Sequence, residues 1–223
     1  MTLDPAIFKA YDVRGIVPDQ FDPDGAYRVA RAYVEVFQAK NIAIGHDMRL
    51  SSPALAEAAI RGATDGGANV AVLGEIGTEM LYFAVADGGL DGGIIVTASH
   101  NPAEYNGMKI VRAEAQPVGS ASGLNEVKKM ATGSTELPPV ATPGIATPLD
   151  VLPGYTEKML GLIDAFNGVI QDTACTATLC ALLCARERSG DFGQNRGGLQ
   201  AEAAPLVVYA SDQAHSSVPK AAL

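Results

Sequence analysis

Short apolar runs alternate with longer amphipathic stretches along much of the chain. Residues 42–44, 70–73 and 94–96 are continuous apolar runs that predict strands, whereas residues 24–38, 52–65 and 78–86 have the spacing of helices. Because these strands are apolar throughout, we expect helices on both of their faces. The pattern therefore predicts an α/β fold: a three-layer arrangement in which a mixed sheet lies between two layers of helices.

The pattern changes after the third apolar run. Residues 108–112 predict an edge strand and residues 122–130 a helix, and five of the chain's 13 prolines then fall between residues 138 and 153. Proline disfavours helices and central strands, so this segment is predicted to be a linker or surface excursion. With a helix over 155–165, the expected parts are 1–137, a linker region 138–165, and an incomplete α/β fragment 166–223.

Composition narrows the classes of function. The chain has 223 residues, 48% of them hydrophobic, and a net charge of −9, which disfavours a nucleic-acid partner. No apolar stretch approaches the roughly 20 residues that span a bilayer, and the N-terminus does not resemble a secretory signal. We expect no membrane partner and a cytoplasmic location, with Cys175, Cys180 and Cys184 reduced.

Reactive side chains collect in the loops that follow the predicted strands. These loops span 46–49, 74–78 and 97–102, and the carboxyl ends of parallel strands meet at one edge of a sheet. Ser99 is the candidate nucleophile there; the alternative is a polar turn capped by Ser99 or Asn101. Asp47 and Arg49 are expected to pair with each other at the start of a helix marked by Ser52.

Two activities of a reactive serine are disfavoured by the residues around Ser99. His100 follows it directly, neighbouring side chains tend to point apart, and no Gly-x-Ser-x-Gly motif is present, which argues against a serine hydrolase. His46 or His215 could in principle supply a base. A phosphate loop of the Gly-x-x-x-x-Gly-Lys type is also absent, so nucleotide hydrolysis has no support.

Three motifs occur in order: Phe-Lys-Ala-Tyr-Asp-Val-Arg-Gly at 8–15, Gly-His-Asp-Met-Arg-Leu-Ser-Ser at 45–52, and Thr-Ala-Ser-His-Asn-Pro at 97–102, followed by Tyr-Asn-Gly-Met-Lys at 105–109. Together they resemble the N-terminal domain of the α-D-phosphohexomutases, the phosphomannomutase/phosphoglucomutase family, over about residues 6–165. The resemblance implies that Ser99 is carried as a phosphoserine that exchanges its phosphoryl group with a hexose phosphate.

The same resemblance assigns roles to other residues. It implies that Arg14, His100 and Lys109 surround the phosphoserine as catalytic residues, with Lys109 as general base or acid, and that Tyr11 and Asn101 contact the substrate. It also implies Mg²⁺, bound through the phosphoryl group of Ser99. Without the motifs, Arg14 could equally be a surface arginine and Lys109 an ordinary strand lysine.

The chain departs from the family pattern further on. It has no Asp-x-Asp-x-Asp metal loop, and the family's sugar-selecting and phosphate-binding loops are missing, so we expect an incomplete chain that is inactive by itself. Residues 211–217, Ser-Asp-Gln-Ala-His-Ser-Ser, instead resemble a pyridoxal-phosphate-dependent group II amino-acid decarboxylase.

The decarboxylase resemblance covers residues 166–223. It implies that Ala174 and Cys175 lie at the cofactor phosphate and that His215 stacks on the pyridoxal ring, although the lysine that forms the Schiff base is missing. A change of family within one helix favours a chimera of two reading frames. The alternatives are a genuine gene fusion or a truncated chain without activity.

Overall fold

The computed structural model describes residues 3–134 and 137–166, and the chain divides into two units, Met1–Tyr155 and Thr156–Leu223. None of the helices in these described ranges is long and apolar enough to cross a bilayer. The strands are β1 (Val13–Ile16), β2 (Asn41–His46), β3 (Asn69–Glu75), β4 (Gly92–Val96), β5 (Tyr105–Arg112), β6 (Gln116–Pro117) and β7 (Ala146–Pro148). The helices are α1 (Pro23–Phe37), α2 (Ser52–Asp65), α3 (Thr78–Asp87), α4 (Leu124–Ala131) and α5 (Leu152–Phe166).

In the described residues the strands form one mixed sheet of seven, in the order β1-β5-β4-β2-β3-β7, with β6 paired to β5. Strand β2 is parallel to both β3 and β4. Strand β5 is antiparallel to both β1 and β4. The carboxyl ends of β2 and β4 therefore lie side by side at one edge of the sheet, which is where the reactive loops begin.

Buried side chains on successive strand residues point to opposite faces of the sheet. Ile42 and Ile44 of β2 belong to a core formed with α1, α2 and α4, whereas Ala43 between them belongs to a second core formed with α3. Strand β4 repeats this division, with Ile95 facing α3. Helices on both faces explain why the strands are apolar throughout, and they confirm the predicted three-layer α/β fold.

The expectation that residues 108–112 form an edge strand is wrong, because β1 pairs outside β5. The register places Val13 opposite Met108 and Arg14 opposite Gly107. Strand β1 has four residues, two of them Arg14 and Gly15, so it lacks the apolar run that predicts a strand. Strand β1 forms its backbone hydrogen bonds with β5. Its position therefore depends on this tertiary pairing and not on a pattern in its own sequence.

The proline-rich segment 138–153 lies along the opposite edge of the sheet. Strand β7 pairs there in parallel with β3, with Pro148 opposite Val72. An edge position suits proline because its missing N–H faces no further strand. The segment lies within the unit Met1–Tyr155, and the predicted fragment 166–223 lies outside the described residues beyond Phe166.

Gly107 is one of the positions among the described residues where the fold leaves no room for a side chain. A Cβ built there would overlap the backbone carbonyl oxygen of Val13 on the neighbouring strand. We expect Gly107→Ala to lower the free energy of unfolding by about 1–3 kcal/mol or more, because backbone cannot move aside as a flexible side chain can. Urea denaturation followed by circular dichroism measures this change.

Gly154→Ala is the matched control. Its Cβ would lie 3.5 Å from the ring of Phe83, an ordinary contact, and alanine favours the helix in which Gly154 lies. We expect stability to be unchanged or slightly higher. An unchanged stability for Gly107→Ala would contradict the close strand approach described here.

Candidate functional site

Ser99 lies in the loop that joins β4 to β5, residues 97–104, which we call the Ser99 loop. The backbone of Ser99 has a φ of +53°, in the left-handed region. This conformation costs a residue with a side chain about 1–2 kcal/mol. Within the loop, the N–H of Ser99 donates to Thr97 Oγ1 at 3.0 Å and that of Asn101 donates to the Ala98 carbonyl at 3.0 Å.

The side chains of Ser99 and His100 are in contact. Ser99 Oγ lies 3.0 Å from His100 Nδ1. The expectation that these neighbours point apart is therefore wrong, since it assumes ordinary backbone and Ser99 is in the left-handed conformation. The imidazole can exchange a proton with the hydroxyl at this distance.

Arg14 and Lys109 reach the same region from β1 and β5. Arg14 is opposite Gly107, so its side chain shares a face of the sheet with Lys109, two residues further along β5. Arg14 Nη2 lies 3.0 Å and Lys109 Nζ 3.8 Å from the same oxygen, Oδ2 of Asp12. Arg14 also donates to the carbonyl of Thr97, where the Ser99 loop begins.

These residues line a pocket of about 700 Å³, which we call the serine pocket. Five of the residues predicted for the site meet here, namely Arg14, Ser99, His100, Asn101 and Lys109. The remaining lining residues are Lys9, Asp12, Gln20 and Tyr105. Tyr11 is not among them and is 75% exposed, so its role in substrate binding stays a prediction.

The charges of the serine pocket favour a dianion. Among its lining residues are three basic side chains, Lys9, Arg14 and Lys109, against one carboxylate, Asp12. Arg14 is 9% exposed and held in place by Asp12, so its guanidinium is ordered before any ligand arrives. A phosphoryl group on Ser99 would find charge-assisted hydrogen-bond donors around it.

Lys9 and Gln20 line this pocket, although the sequence alone gave neither of them a role. Lys9 falls within the first motif, at 8–15, but had no assigned role. No sequence motif pointed to Gln20. It lies in the turn after β1, where its Oε1 accepts a hydrogen bond from the N–H of Ile16 at 3.0 Å.

The predicted pairing of Asp47 with Arg49 is confirmed, since Arg49 Nε lies 3.3 Å from Asp47 Oδ2. Sequence reasoning missed that the same guanidinium also holds the Ser99 loop. It donates to four backbone carbonyls, of Ser99, Asn101, Pro102 and Tyr105. No local pattern could reveal this, because donor and acceptors are about 50 residues apart along the chain.

Asp47 is itself held by neighbouring hydroxyls. Ser52, predicted to cap α2, instead lies inside the helix and donates to Asp47 Oδ1. Asn106 of β5 donates a hydrogen bond to Ser52 Oγ at 2.9 Å, which links β5 to the contact between Ser52 and Asp47. Burial raises the pKa of Asp47, but hydrogen bonds from Ser52, Thr97 and Arg49 outweigh it, so the pKa is lowered overall.

Comparisons with known proteins agree on one family. The family model described as phosphoglucomutase/phosphomannomutase, alpha/beta/alpha domain I, matches residues 5–137. A phosphomannomutase of Escherichia coli is 43% identical over 162 residues, covering 72% of this chain and 35% of its own length. One of Klebsiella pneumoniae is 44% identical over 152 residues, covering 67% of this chain and 96% of its own.

A solved structure gives the same result. A crystal structure of a phosphoglucomutase/phosphomannomutase family protein from Burkholderia thailandensis matches with a TM-score of 0.63 at 29% identity, over 71% of this chain and 36% of that chain. The chain belongs to the phosphoglucomutase/phosphomannomutase family. It spans about a third of the length of the Escherichia coli relative, and the family match covers residues 5–137. The division of the chain into parts at 137 and 165 stays a prediction.

The second resemblance has no such support. Ala174, Cys175 and His215, predicted to bind pyridoxal phosphate, lie outside the described residues. The relatives support neither a decarboxylase nor a chimera.

The described residues do not by themselves form a magnesium site. Enzymes of the family generally use Mg²⁺. Within residues 3–134 and 137–166, however, no group of three or more His, Cys, Asp or Glu side chains could hold a metal ion. Mg²⁺ requires near-octahedral oxygen ligation, and Ser99 offers one phosphoryl group at most.

The lowered pKa of Asp47 predicts how acid affects the loop. Asp47→Asn should lower the free energy of unfolding by about 1–3 kcal/mol at neutral pH, because Arg49 and Ser52 lose a charged partner. Since the folded-state pKa lies below the ordinary 3.8, the charge stabilises the fold above that pH and its contribution is lost as pH falls through the folded-state value.

Urea denaturation at a series of pH values measures this effect. The difference between the original protein and Asp47→Asn should stay constant at neutral pH and shrink below about pH 4. Asp19→Asn, at an exposed aspartate, is the control and should show little difference at any pH. If the difference in free energy of unfolding between the original protein and Asp47→Asn persists into strong acid, the charge on Asp47 does not stabilise the fold.

Proposed function

We propose that this chain supplies the phosphoserine domain of a phosphohexomutase, with Ser99 as the residue that carries the phosphoryl group. One observation supports this most directly: the Ser99 hydroxyl, 3.0 Å from His100 Nδ1, opens into a pocket lined by Lys9, Arg14 and Lys109. Phosphoryl transfer depends mainly on positioning and charge neutralisation, and the pocket offers both.

In the proposed reaction a hydroxyl oxygen of a hexose phosphate attacks the phosphorus of phospho-Ser99. The bond from phosphorus to the serine oxygen breaks as the bond to the sugar oxygen forms. Lys109, as the uncharged amine, takes the proton of the sugar hydroxyl, and His100, as the imidazolium, gives a proton to the serine oxygen. The reverse step, from the other phosphate of the resulting bisphosphate, restores phospho-Ser99 and completes an intramolecular transfer.

The other residues of the pocket have supporting roles in this proposal. Arg14 neutralises the phosphoryl oxygens, and its link to Asp12 keeps the guanidinium in place. Asn101, at the rim of the serine pocket, contributes an amide to the sugar phosphate. Tyr11 lies outside this pocket and could contact only a part of the substrate that extends beyond it.

The proposal includes no cofactor step and no decarboxylase activity. Ser99 is the predicted magnesium contact, and the described residues provide no further cluster of ligands. The groups that select the sugar and the remaining magnesium ligands would come from parts of the family that this chain does not span, since it covers 35% of the Escherichia coli phosphomannomutase. Residues 166–223 carry no proposal.

Phosphorylation of Ser99 is the first test. Incubation of the full chain with a radiolabelled hexose 1,6-bisphosphate should label the protein, because the bisphosphate is the donor that would form phospho-Ser99. Ser99→Ala should abolish the label, and mass spectrometry of peptides should locate it on Ser99. Ser120→Ala, a serine outside the pocket, is the control and should label normally. Label that persists in Ser99→Ala would refute the assignment.

The second test is turnover. The 223-residue chain should not interconvert mannose 1-phosphate and mannose 6-phosphate. Enzymes lower the barrier to phosphoryl transfer mostly by positioning the substrate, and this chain does not span the sugar-binding parts of the family. Phosphorus NMR of the mixture measures this, with the Escherichia coli phosphomannomutase as positive control. Conversion above the enzyme-free rate would show that the chain is sufficient by itself.

A further inference from the structure

The two sides of the Ser99 loop are lined by different residues. The serine pocket lies on one side. A second pocket, of about 520 Å³, shares Ser99 and Asn101 with it and is also lined by residues 48–51, by Ala103 and Glu104 of the same loop, and by Val17. Arg49 is not among the residues that line the serine pocket. The contacts that link Arg49 to Ser99 are hydrogen bonds to the backbone of the loop.

One guanidinium holds most of the loop. Nη2 of Arg49 donates to the carbonyls of Ser99 at 3.0 Å and Asn101 at 2.7 Å, and Nη1 donates to those of Pro102 at 2.8 Å and Tyr105 at 3.1 Å. Arginine can do this because its donors lie in a rigid plane on separate nitrogens. A lysine carries its three donors on a single nitrogen and could not reach the same carbonyls together.

These hydrogen bonds set the orientation of the peptide that follows Ser99. In a trans peptide the carbonyl and the next N–H point in opposite directions, so a Ser99 carbonyl held by Arg49 directs the His100 N–H away from Arg49. In the loop held this way, Ser99 has a φ of +53° and its hydroxyl lies 3.0 Å from His100 Nδ1.

The guanidinium is ordered without a substrate. Asp47 pairs with Nε of Arg49 at 3.3 Å, and Arg49 is 14% exposed. Because Asp47 is held in turn by Ser52, the whole group is anchored to the start of α2. The loop is therefore fastened to a helix that belongs to the main core.

We infer that Arg49 is a positioning residue for phosphoryl transfer: it holds the Ser99 loop in the conformation in which Ser99 and His100 act together, and it does not itself touch the substrate. This inference rests on the proposed function of Ser99. It assigns Arg49 a role different from that proposed for Arg14, which lines the serine pocket.

The first measurement is the rate at which Ser99 takes up label from a hexose 1,6-bisphosphate in the full chain. Arg49→Ala should slow labelling by about 10- to 100-fold, the cost of a small displacement of reacting groups. Arg49→Lys should remain slow. Added guanidinium ion at a non-denaturing concentration should restore part of the rate in Arg49→Ala and none in Ser99→Ala.

Arg61→Ala is the matched control, because Arg61 lies on α2 and pairs with Glu57 at the surface. It should label at the original rate. Labelling of Arg49→Ala at that rate would overturn the inference, as would a slow rate that guanidinium ion does not change. If Arg49→Ala does not fold, the labelling rate of Arg49→Lys decides: a rate equal to that of the original protein would overturn the inference.

Amide hydrogen exchange of residues 97–106 provides a second measurement that needs no phosphoryl transfer. Exchange there should be faster in Arg49→Ala and Arg49→Lys than in the original protein, with the core strands unchanged. Unchanged exchange would refute positioning by Arg49. If the original protein takes up no label but these amides still exchange faster in the variants, the proposed function fails while the positioning of the loop by Arg49 stands.

Discussion

The close approach of β1 to β5 at Gly107 is the constraint on which the rest of the site depends. It leaves no room for a Cβ between the two backbones. The pairing of the two strands places Arg14 where it donates to the Thr97 carbonyl at the start of the Ser99 loop, while Asp12, two residues earlier in the chain, pairs with its guanidinium. The face of the sheet that carries Arg14 also carries Lys109, so one backbone contact brings both cations beside the same loop.

The Ser99 loop is held from two sides with different consequences. Arg14 lines the serine pocket and donates to the Thr97 carbonyl at the beginning of the loop. Arg49 holds the loop from the other side by its carbonyls, while Asp47 neutralises the guanidinium. Both arginines thus pair with an aspartate and donate to backbone carbonyls of the loop, but only Arg14 also lines the serine pocket.

Much of the fold followed from the sequence because parallel strands covered on both faces are apolar throughout. That pattern predicted the positions of β2, β3 and β4 and of the helices between them. It failed at β1, where Arg14 and Gly15 occupy half of a short strand. Such a strand forms because a partner strand pairs with it. The sequence pattern of β1 alone therefore could not show that β1, and not β5, lies at the edge of the sheet.

The sequence by itself determined the family, the three-layer fold and the loop that carries Ser99, because motif residues and apolar runs are local properties. Only the tertiary structure decided that Ser99 and His100 meet, that Asp12 lies between two cations, and that Arg49 holds the loop. The physical reason is that these contacts join residues whose distance is set by strand pairing and by one left-handed residue. Neither is encoded in the spacing of the residues along the chain.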